Sequence, residues 1–269
     1  MLQWIQRQLG RDRRFQGGGM RRSRRLRRTP FYRQYAPAAT ERLAAIDQRI
    51  LVSRPNRYIY IRVPKCANST IVLALGLKER GLDGEYWRNL SAEKRSEFFA
   101  GTLKKQTFAH PSGLTDHEAA EAIANYRRIL FVRNPFSRVA SAYFDKVASG
   151  KYERHIGLPK GMPFADFCDY LAAGGLRRNI HWLPQTDIVP FPPESFDFIG
   201  YFENLEQDLA NLMQLLHGEE QATIPLAAHA TQAGTRLAEI YGDAERRAIA
   251  GLYAGDFAAF GYDPFHLPG

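Results

Sequence analysis

An α/β fold, a P-loop-like parallel β-sheet flanked by helices, is predicted by two stretches that share the order strand, turn, helix. In residues 58–75 (YIYIRVPKCANSTIVLAL) apolar residues alternate up to Pro64, and a small polar turn then leads into an apolar helix. In residues 128–143 (RILFVRNPFSRVASAY) a buried strand is followed by Pro135 at a helix start. A helical pattern lies between them. This order is typical of a parallel sheet that binds ligands at the carboxyl ends of its strands.

The net charge of +9 over 269 residues is concentrated at the start of the chain. Residues 1–33 contain one aspartate and eleven arginines, which gives +10 there and leaves −1 for the rest: Arg7, Arg11, Arg13, Arg14, Arg21, Arg22, Arg24, Arg25, Arg27, Arg28 and Arg33. We therefore predict an arginine-rich N-terminal tail, residues 1–36, that is disordered or partly helical. Residues 37–269 form a single α/β domain.

The tail allows two interpretations. Leu2, Ile5 and Leu9 fall on one helical face beside Trp4, which together with the arginines suits an anionic membrane surface. A solvated tail that binds polyanions weakly is the alternative. Specific nucleic-acid recognition is not expected, because neither zinc-finger spacing nor a basic-region heptad is present. The sequence has no run of about 18 apolar residues and no signal-peptide pattern, so we expect a cytoplasmic protein, peripheral at the membrane if the first interpretation holds.

The remaining helices and strands are predicted from helix-capping residues and from the residues that interrupt helices and strands. Thr40 predicts the start of a helix through about Leu51, and Thr115 with Glu118 has the spacing of a capping box for a helix from Asp116 to about Tyr126. Further predictions are a helix at 163–173, a strand at 196–201, a helix at 206–216, a loosely ordered stretch at 222–235 and a helix at 244–260. The two cysteines, Cys66 and Cys168, are not expected to form a disulfide.

The first turn has the composition of an anion site. Lys65 ends the strand, and the residues after it can present free backbone N–H groups at a helix N-terminus: Cys66, Ala67, Asn68, Ser69 and Thr70. A lysine in this position can also be an ordinary surface residue. The turn is not an ATP-type P-loop, because the glycine spacing of G-x-x-x-x-G-K-[ST] is missing.

The second turn adds another cation to the same predicted edge. Arg133 follows its strand and Ser141 lies about two helical turns further on. Each residue alone is compatible with capping or packing. Two such turns on neighbouring strands indicate a nucleotide that is phosphorylated at two places.

At this point the chain resembles the sulfotransferases that use 3′-phosphoadenosine 5′-phosphosulfate (PAPS), in particular the Golgi carbohydrate sulfotransferases of the chondroitin and HNK-1 type. Residues 64–70 are similar to the family's 5′-phosphosulfate loop, and Phe131 through Tyr143 to its F-x-R-x-P-x-x-R-x-x-S-x-Y segment for the 3′-phosphate. The segments at 181–185 (HWLPQ), 196–205 (FDFIGYFENL) and 252–262 (LYAGDFAAFGY) are similar to three further family motifs. The resemblance covers roughly residues 57–263.

The resemblance implies a sulfotransferase that moves a sulfuryl group from PAPS to a hydroxyl of a carbohydrate, such as a polysaccharide or glycolipid, and leaves PAP without using a metal. Lys65 is then the residue that stabilises the leaving oxygen, and a histidine is expected to be the base. His110, at a predicted strand end between the two turns, is our choice, and His181 is the competitor. His181 and Trp182 are also candidates for substrate binding.

Departures from the family pattern bear on the acceptor and the compartment. Relatives often have two cysteines shortly after the H-W-x-P segment, where this chain has Val189 and Pro192. Relatives also tend to have an aromatic residue and a lysine where this chain has Ile71 and Val72, so the acceptor is left open. Two other functions stay open: a different nucleotide-dependent transferase such as a kinase, and a non-catalytic relative that binds polyanions.

Overall fold

The computed structural model describes residues 17–98, 107–151, 153, 157–218 and 233–268, which form one four-stranded sheet with the order β1-β2-β3-β4. The strands are β1 Ile50–Ser53, β2 Tyr58–Ile61, β3 Arg127–Val132 and β4 Phe198–Tyr201. The pairs β2–β3 and β3–β4 are parallel, whereas β1 is antiparallel to β2. The predicted α/β class with a mainly parallel sheet is confirmed.

Helices cover the sheet. The α-helices are α1 Gly17–Leu26, α2 Pro30–Gln34, α3 Leu43–Asp47, α4 Asn68–Glu79, α5 Gly84–Arg88, α6 Ala92–Glu97, α7 Asp116–Asn125, α8 Pro135–Ala142, α9 Phe164–Tyr170, α10 Gln185–Ile188, α11 Leu205–His217, α12 Ala233–Ile240, α13 Asp243–Leu252 and α14 Ala254–Phe260. Short 3₁₀ turns lie at Thr40–Arg42, Pro111–Gly113, Leu176–Arg178, Pro193–Ser195 and Phe202–Asn204, and π-helical turns at Tyr143–Ala148 and Leu171–Gly175. None of the helices in these ranges is long and apolar enough to cross a membrane.

Strand β1 corrects one prediction. The helix expected from Thr40 to about Leu51 ends at Asp47, and the next residues pair as an edge strand, with Ile50 opposite Ile61. Ile50, Leu51 and Val52 are at most 1% exposed. A short run that is apolar at every position fits a buried strand and a buried helix equally well, because it shows no alternation of apolar and polar residues. The sequence pattern therefore does not distinguish the two here.

The ordered part of the chain also begins earlier than predicted. Helices α1 and α2 precede Pro37, and Phe31 is fully buried, with its ring centroid 5.8 Å from that of Phe191. Burial of this aromatic pair holds the segment before Pro37 on the domain. The division at residue 36 into a tail and a single domain stays a prediction.

Other element predictions have mixed outcomes. The capping box of Thr115 and Glu118 is present at the start of α7. The helix predicted over 244–260 is two helices that meet at Tyr253. Most of the stretch predicted to be loosely ordered, residues 222–232, lies outside the described residues, and Cys66 and Cys168 are free and buried.

The buried apolar residues form two clusters. The larger surrounds the sheet and includes the apolar residues of α4. The smaller is rich in aromatic residues and packs α8, α9, α13 and α14 around Trp182. Gly200 of β4 belongs to the sheet, where a Cβ atom would lie 2.4 Å from Cε1 of Phe131, so only glycine fits at this position. The second cluster supports α8, the helix that follows the turn after β3.

Candidate active site

The turn between β2 and α4 is shaped to hold an anion. Lys65 and Ala67 both have positive φ angles, 74° and 51°, and a backbone that alternates in this way gathers successive N–H groups into a concave surface. Helix α4 begins directly after Ala67, which provides no side-chain cap. The Asn68 side chain does not cap the helix either, because its Nδ2 donates to the Val63 carbonyl at 2.6 Å and its Oδ1 accepts from Tyr60 Oη at 3.0 Å. Within the described chain, the first N–H groups of α4 are thus left for a ligand.

Lys65 lies in a cluster of charges at this turn. Its Nζ is 3.0 Å from Asp145 Oδ2, and the same carboxylate also binds Lys146 at 3.1 Å and Lys151 at 2.6 Å. Burial lowers the pKa of Lys65, and the Asp145 carboxylate opposes that effect. Burial acts to raise the pKa of Asp145, but hydrogen bonds from Lys151, Lys65 and Lys146 outweigh it and the pKa falls well below its usual range. Three ammonium groups against one carboxylate leave this cluster positive.

Arg133 joins the two turns. Its Nη1 donates to the Lys65 carbonyl at 3.1 Å, its Nε donates to Ser137 Oγ at 2.9 Å, and its Cζ lies 3.8 Å from the centroid of the Phe202 ring. Burial lowers the pKa of Arg133, although the group remains a cation near neutral pH. Ser141 is half-buried and lies four residues after Ser137 on α8, so the two hydroxyls share one face of the helix.

Arg138 is a site residue that the sequence analysis missed. It is fully buried, and its Nε donates to the Pro64 carbonyl at 3.0 Å. Its Nη1 and Nη2 have no hydrogen-bond partner among the described residues. Arg133, which follows β3, and Arg138 on α8 therefore bind neighbouring carbonyls of the first turn and hold its unusual backbone. The motif contained Arg138, but spacing alone does not show which arginine points into the core.

Residues from the segments that resemble other family motifs support the second turn. The Gln185 amide pairs with the backbone of Arg133, accepting from its N–H at 3.0 Å and donating to its carbonyl at 2.9 Å. Glu203 accepts from the Asn134 N–H at 2.8 Å and from Tyr262 Oη at 2.9 Å. The three segments that resembled family motifs thus include residues that position the strand end at Arg133.

Cys66 lies beside the same glutamine. Its Sγ is 3.5 Å from Gln185 Oε1, and burial raises the pKa of the thiol to about 12 although Arg138 and Arg133 act in the opposite direction. The thiol is therefore protonated and donates. Cys66 as a whole is only 1% exposed, so its thiol is not placed to contact a ligand.

His110 lies at the same edge of the sheet as the two turns. Ala109 bridges to Val52, and the next residue, His110, places Nδ1 3.0 Å from the carbonyl of Ile50, which pairs with Ile61 at the carboxyl end of β2. A carbonyl oxygen only accepts, so Nδ1 carries the proton. In the neutral ring Nε2 then has the lone pair that a general base requires.

His181 is placed at the site as well, but in a different electrostatic setting. Burial and the nearby cations Arg49, Lys146 and Lys65 lower its pKa to about 3. Its Nδ1 lies 2.8 Å from Asn179 Oδ1. The ring is therefore neutral at any physiological pH and a weak base.

Trp182 is not placed where a substrate could touch it. The side chain is fully buried in the aromatic cluster and its Nε1 donates to the Gly175 carbonyl at 3.0 Å. The expectation of direct substrate contact is corrected: apolar packing holds this residue in the core.

The structure thus brings Lys65, the turn at 66–70 and Arg133 together, with His110 and His181 at the same edge. Within the part of the chain that the structure describes, no group of three or more His, Cys, Asp or Glu side chains is arranged to hold a metal ion.

The candidate anion site lies at the carboxyl edge of a mainly parallel sheet, which is where α/β proteins of this class bind their ligands. Comparison with known proteins identifies the family. A profile of the sulfotransferase family matches residues 48–263, which is most of the chain. The chain belongs to the sulfotransferase family.

The similar curated proteins are carbohydrate sulfotransferases. Carbohydrate sulfotransferase 10 of Gallus gallus is 24% identical over 244 residues, which is 80% of this chain and 66% of that protein. Its counterpart in Homo sapiens is 26% identical over 80% of this chain and 67% of its own length. Carbohydrate sulfotransferase 14 of Danio rerio is 26% identical over 66% of this chain and 51% of its own. The chain thus spans about two thirds or less of these relatives. No solved structure matches it.

Proposed function

We propose that this protein transfers a sulfuryl group from PAPS to a hydroxyl of a carbohydrate. The observation that carries the proposal is the link from Arg133 Nη1 to the Lys65 carbonyl, 3.1 Å, which joins two cationic turns at one sheet edge. Family membership supports the transfer of a sulfuryl group. The names of the similar proteins support a carbohydrate as acceptor.

The residues present fit a nucleotide with anionic groups at two positions. The uncapped start of α4 and Lys65 suit one group, and Arg133 with Ser141 suits the other. The arginine guanidinium is already oriented by Ser137 and stacked on Phe202, so little of its side-chain freedom is lost on binding. Among the described residues, the two Nη groups of the buried Arg138 have no partner, which adds positive potential behind the first turn.

When bound, PAPS would supply the activated sulfuryl group and the leaving phosphate. The chain's own part is to position reactants and to stabilise negative charge. The Lys65 ammonium and the N–H groups of Asn68, Ser69 and Thr70 are the groups we assign to the charge that develops on the leaving oxygen. Arg133 and Ser141 orient the nucleotide.

We assign the base to His110. Its Nδ1–H is held by the Ile50 carbonyl at 3.0 Å, which leaves Nε2 to accept the proton of the acceptor hydroxyl. His181 is the weaker candidate because a group with a pKa of about 3 provides little driving force for proton abstraction at neutral pH. Its position supports a role in holding the acceptor beside Lys65.

The test combines binding and turnover. Calorimetric titration with PAP and, in parallel, with ATP is done on the wild type, on Arg133→Lys and on His110→Ala. We expect PAP to bind the wild type, ATP not to bind, and Arg133→Lys to bind PAP about tenfold or more weakly because a lysine lacks the oriented fork. His110→Ala should keep PAP binding and lose PAPS-dependent turnover, whereas His181→Asn should keep part of it.

Several results count against the proposal. ATP binding that excludes PAP would favour a kinase-like enzyme. PAP binding without turnover on any tested glycan, together with tight polyanion binding that is lost in Arg21→Gln/Arg22→Gln/Arg24→Gln/Arg25→Gln, would favour a non-catalytic relative. Unchanged turnover in His110→Ala would remove that residue as the base.

The acceptor and the place of reaction are proposals too. A polysaccharide or a glycolipid is the acceptor class we favour, and the cytoplasm, peripherally at a membrane, is the location. Fractionation of cells that express the tagged full chain, followed by salt extraction of the membrane fraction, tests the location. Recovery as a luminal or secreted protein would contradict it.

A further inference from the structure

Helix α1 presents arginines on one face and is attached to the domain by the other. Ser23 and Leu26 are 2% and 8% exposed, and Ser23 Oγ donates to the Glu41 carbonyl at 3.2 Å and accepts from the Ala44 N–H at 3.0 Å. Arg21, Arg24 and Arg25 have the spacing i, i+3, i+4 on the opposite side. The helix is therefore held in a fixed orientation.

The exposed side of α1 and the turn after it form a strongly positive surface, which we call the arginine face. It consists of six exposed arginines: Arg21, Arg22, Arg24, Arg25, Arg27 and Arg28. Among the described residues none of these six side chains makes an ion pair or a hydrogen bond. Folding has not neutralised this charge, so it is available to an anionic partner.

Helix α1 is attached to a segment that reaches the edge of the sheet where the candidate active site lies. Its attachment points, Glu41 and Ala44, belong to the segment that leads into β1, where the Arg49 carbonyl accepts from the Arg62 N–H at 2.9 Å, three residues before Lys65. In the same segment the Ala39 N–H donates to the Asp187 carbonyl at 3.0 Å, on the helix α10 whose Gln185 holds Arg133. A surface bound by α1 is thus beside the carboxyl edge of the sheet.

We propose that the arginine face binds the anionic headgroups of a lipid bilayer and holds the carboxyl edge of the sheet beside that membrane. Binding to the membrane does not depend on the proposed function. If the proposed function holds, this location favours a lipid-linked saccharide as the acceptor, and that part of the inference rests on the proposed function. The chain before α1 argues for a bilayer instead of a free polyanion: residues 1–16 combine four more arginines with Leu2, Trp4, Ile5 and Leu9. Aliphatic side chains such as Leu2, Ile5 and Leu9 next to cations add to binding at a lipid interface, into which they can insert, whereas a soluble polyanion is bound mainly through charge.

Vesicle sedimentation with the full chain tests the proposal. The probes are phosphatidylcholine vesicles with and without phosphatidylglycerol, at low and at physiological salt. We expect binding only to the anionic vesicles, weakened by salt. The variant Arg21→Gln/Arg22→Gln/Arg24→Gln/Arg25→Gln should lower the partition coefficient by about 100-fold or more, because each arginine near the surface contributes about fivefold.

A matched variant controls for net charge. Arg88→Gln/Lys94→Gln/Lys160→Gln/Arg247→Gln removes four exposed cations elsewhere on the domain and should bind vesicles like the wild type. Equal loss of vesicle binding in both variants would mean that net charge alone attracts the protein. That result would overturn the proposal that the arginine face binds the membrane. No binding to anionic vesicles, or binding of heparin or RNA without binding of vesicles, would overturn the lipid partner.

Spin labels test the orientation. Met20 is 40% exposed beside the arginines, and Leu215 is 36% exposed at the opposite edge, where its carbonyl accepts from Arg127 at the amino end of β3. On anionic vesicles a label at Met20→Cys should lose access to a water-soluble relaxation agent, and one at Leu215→Cys should keep it. The reverse pattern would overturn the proposal. None of these assays uses PAPS, so failure here is distinct from failure of the proposed activity.

Discussion

At the scale of single residues, the candidate site is controlled by competition between ions. Lys65 is the residue we assign to the leaving group, yet its ammonium lies 3.0 Å from Asp145, which also binds Lys146 and Lys151. An anionic ligand at the first turn must therefore take Lys65 from a carboxylate that is already in contact. The strength of this contact sets part of the affinity for the ligand.

We predict that Asp145→Asn tightens PAP binding by up to about fivefold, since a partly exposed ion pair of this kind is worth roughly 1 kcal/mol or less. The measurement is calorimetric titration at low salt. Asp169→Asn, which removes an exposed aspartate on α9, is the control and should leave the affinity unchanged. Weaker PAP binding in Asp145→Asn would show that the carboxylate positions Lys65 for the ligand instead of competing with it.

His181 leads to a prediction about pH. Its pKa is near 3 in the folded state and about 6.5 when unfolded, so the unfolded chain binds more protons as the pH falls from 6.5 towards 3. The stability of the folded state is therefore lost in that range and is fully present above it. At pH 5 this effect of His181 lowers the free energy of unfolding of the wild type by at most about 2 kcal/mol. We expect His181→Asn to lack this loss.

Urea unfolding of the wild type and His181→Asn at several pH values between 4 and 8 measures the effect. The free energies of unfolding of the two proteins should converge as the pH falls. Parallel curves would show that His181 has the same proton affinity in both states and that its burial is relieved in solution.

At the scale of elements, a short helix carries the contacts that hold the second turn. Asp256 is fully buried at the start of α14 and caps α10, accepting from the N–H groups of Gln185 and Thr186 at 2.8 and 2.9 Å. Gln185 in turn pairs with the backbone of Arg133. The end of the chain thus stabilises the nucleotide side of the site through α10.

We predict that Asp256→Ala lowers the free energy of unfolding by about 3 kcal/mol, because it leaves the buried Gln185 N–H and the half-buried Thr186 N–H without an acceptor and removes a helix cap. The measurement is urea unfolding followed by circular dichroism. Asp243→Ala, at the first position of α13 with a side chain that is 72% exposed, is the control and should cost about 0.5 kcal/mol or less. Equal effects would mean that Asp256 is hydrated or that α10 does not depend on its cap.

At the scale of the whole molecule, two apolar clusters support different parts of the candidate site. The cluster around the sheet holds β2 and α4 and so the first turn. The aromatic cluster holds α8, with Phe167 and Tyr170 ring centroids 5.4 and 6.4 Å from that of Trp182. The site lies where these clusters meet, so the packing of both positions its two cationic turns.

We predict that Trp182→Phe destabilises the fold by roughly 2 kcal/mol and leaves the Kd for PAP and the KM for an acceptor unchanged below the unfolding temperature. Thermal unfolding and steady-state kinetics provide the two measurements. A raised KM with unchanged stability would restore Trp182 as a substrate-binding residue and contradict its burial in this structure.

Much of the architecture follows from local pattern. Lys65 and Arg133 were predicted at one edge because the carboxyl ends of parallel strands meet there, and the capping box at Thr115 was readable from four residues. Strand β1 was not predicted, because Ile50, Leu51 and Val52 are all apolar and buried and so show no alternation that would indicate a strand. The contacts of Asp145, Gln185 and Glu203 were missed because partners about 70 to 80 residues apart leave no trace in spacing.

From residue types and spacing alone, the family, the two anion turns and the concentration of charge near the start of the chain can be recognised, since each depends on neighbours in sequence. Which arginine enters the core, which histidine is shielded and which tryptophan is buried follow only from tertiary packing. Burial changes the free energy of a charge or a proton, and burial is a property of the assembled clusters. The same applies to α1: its arginines are visible in the sequence, but only its contacts with Glu41 and Ala44 place them beside the candidate active site.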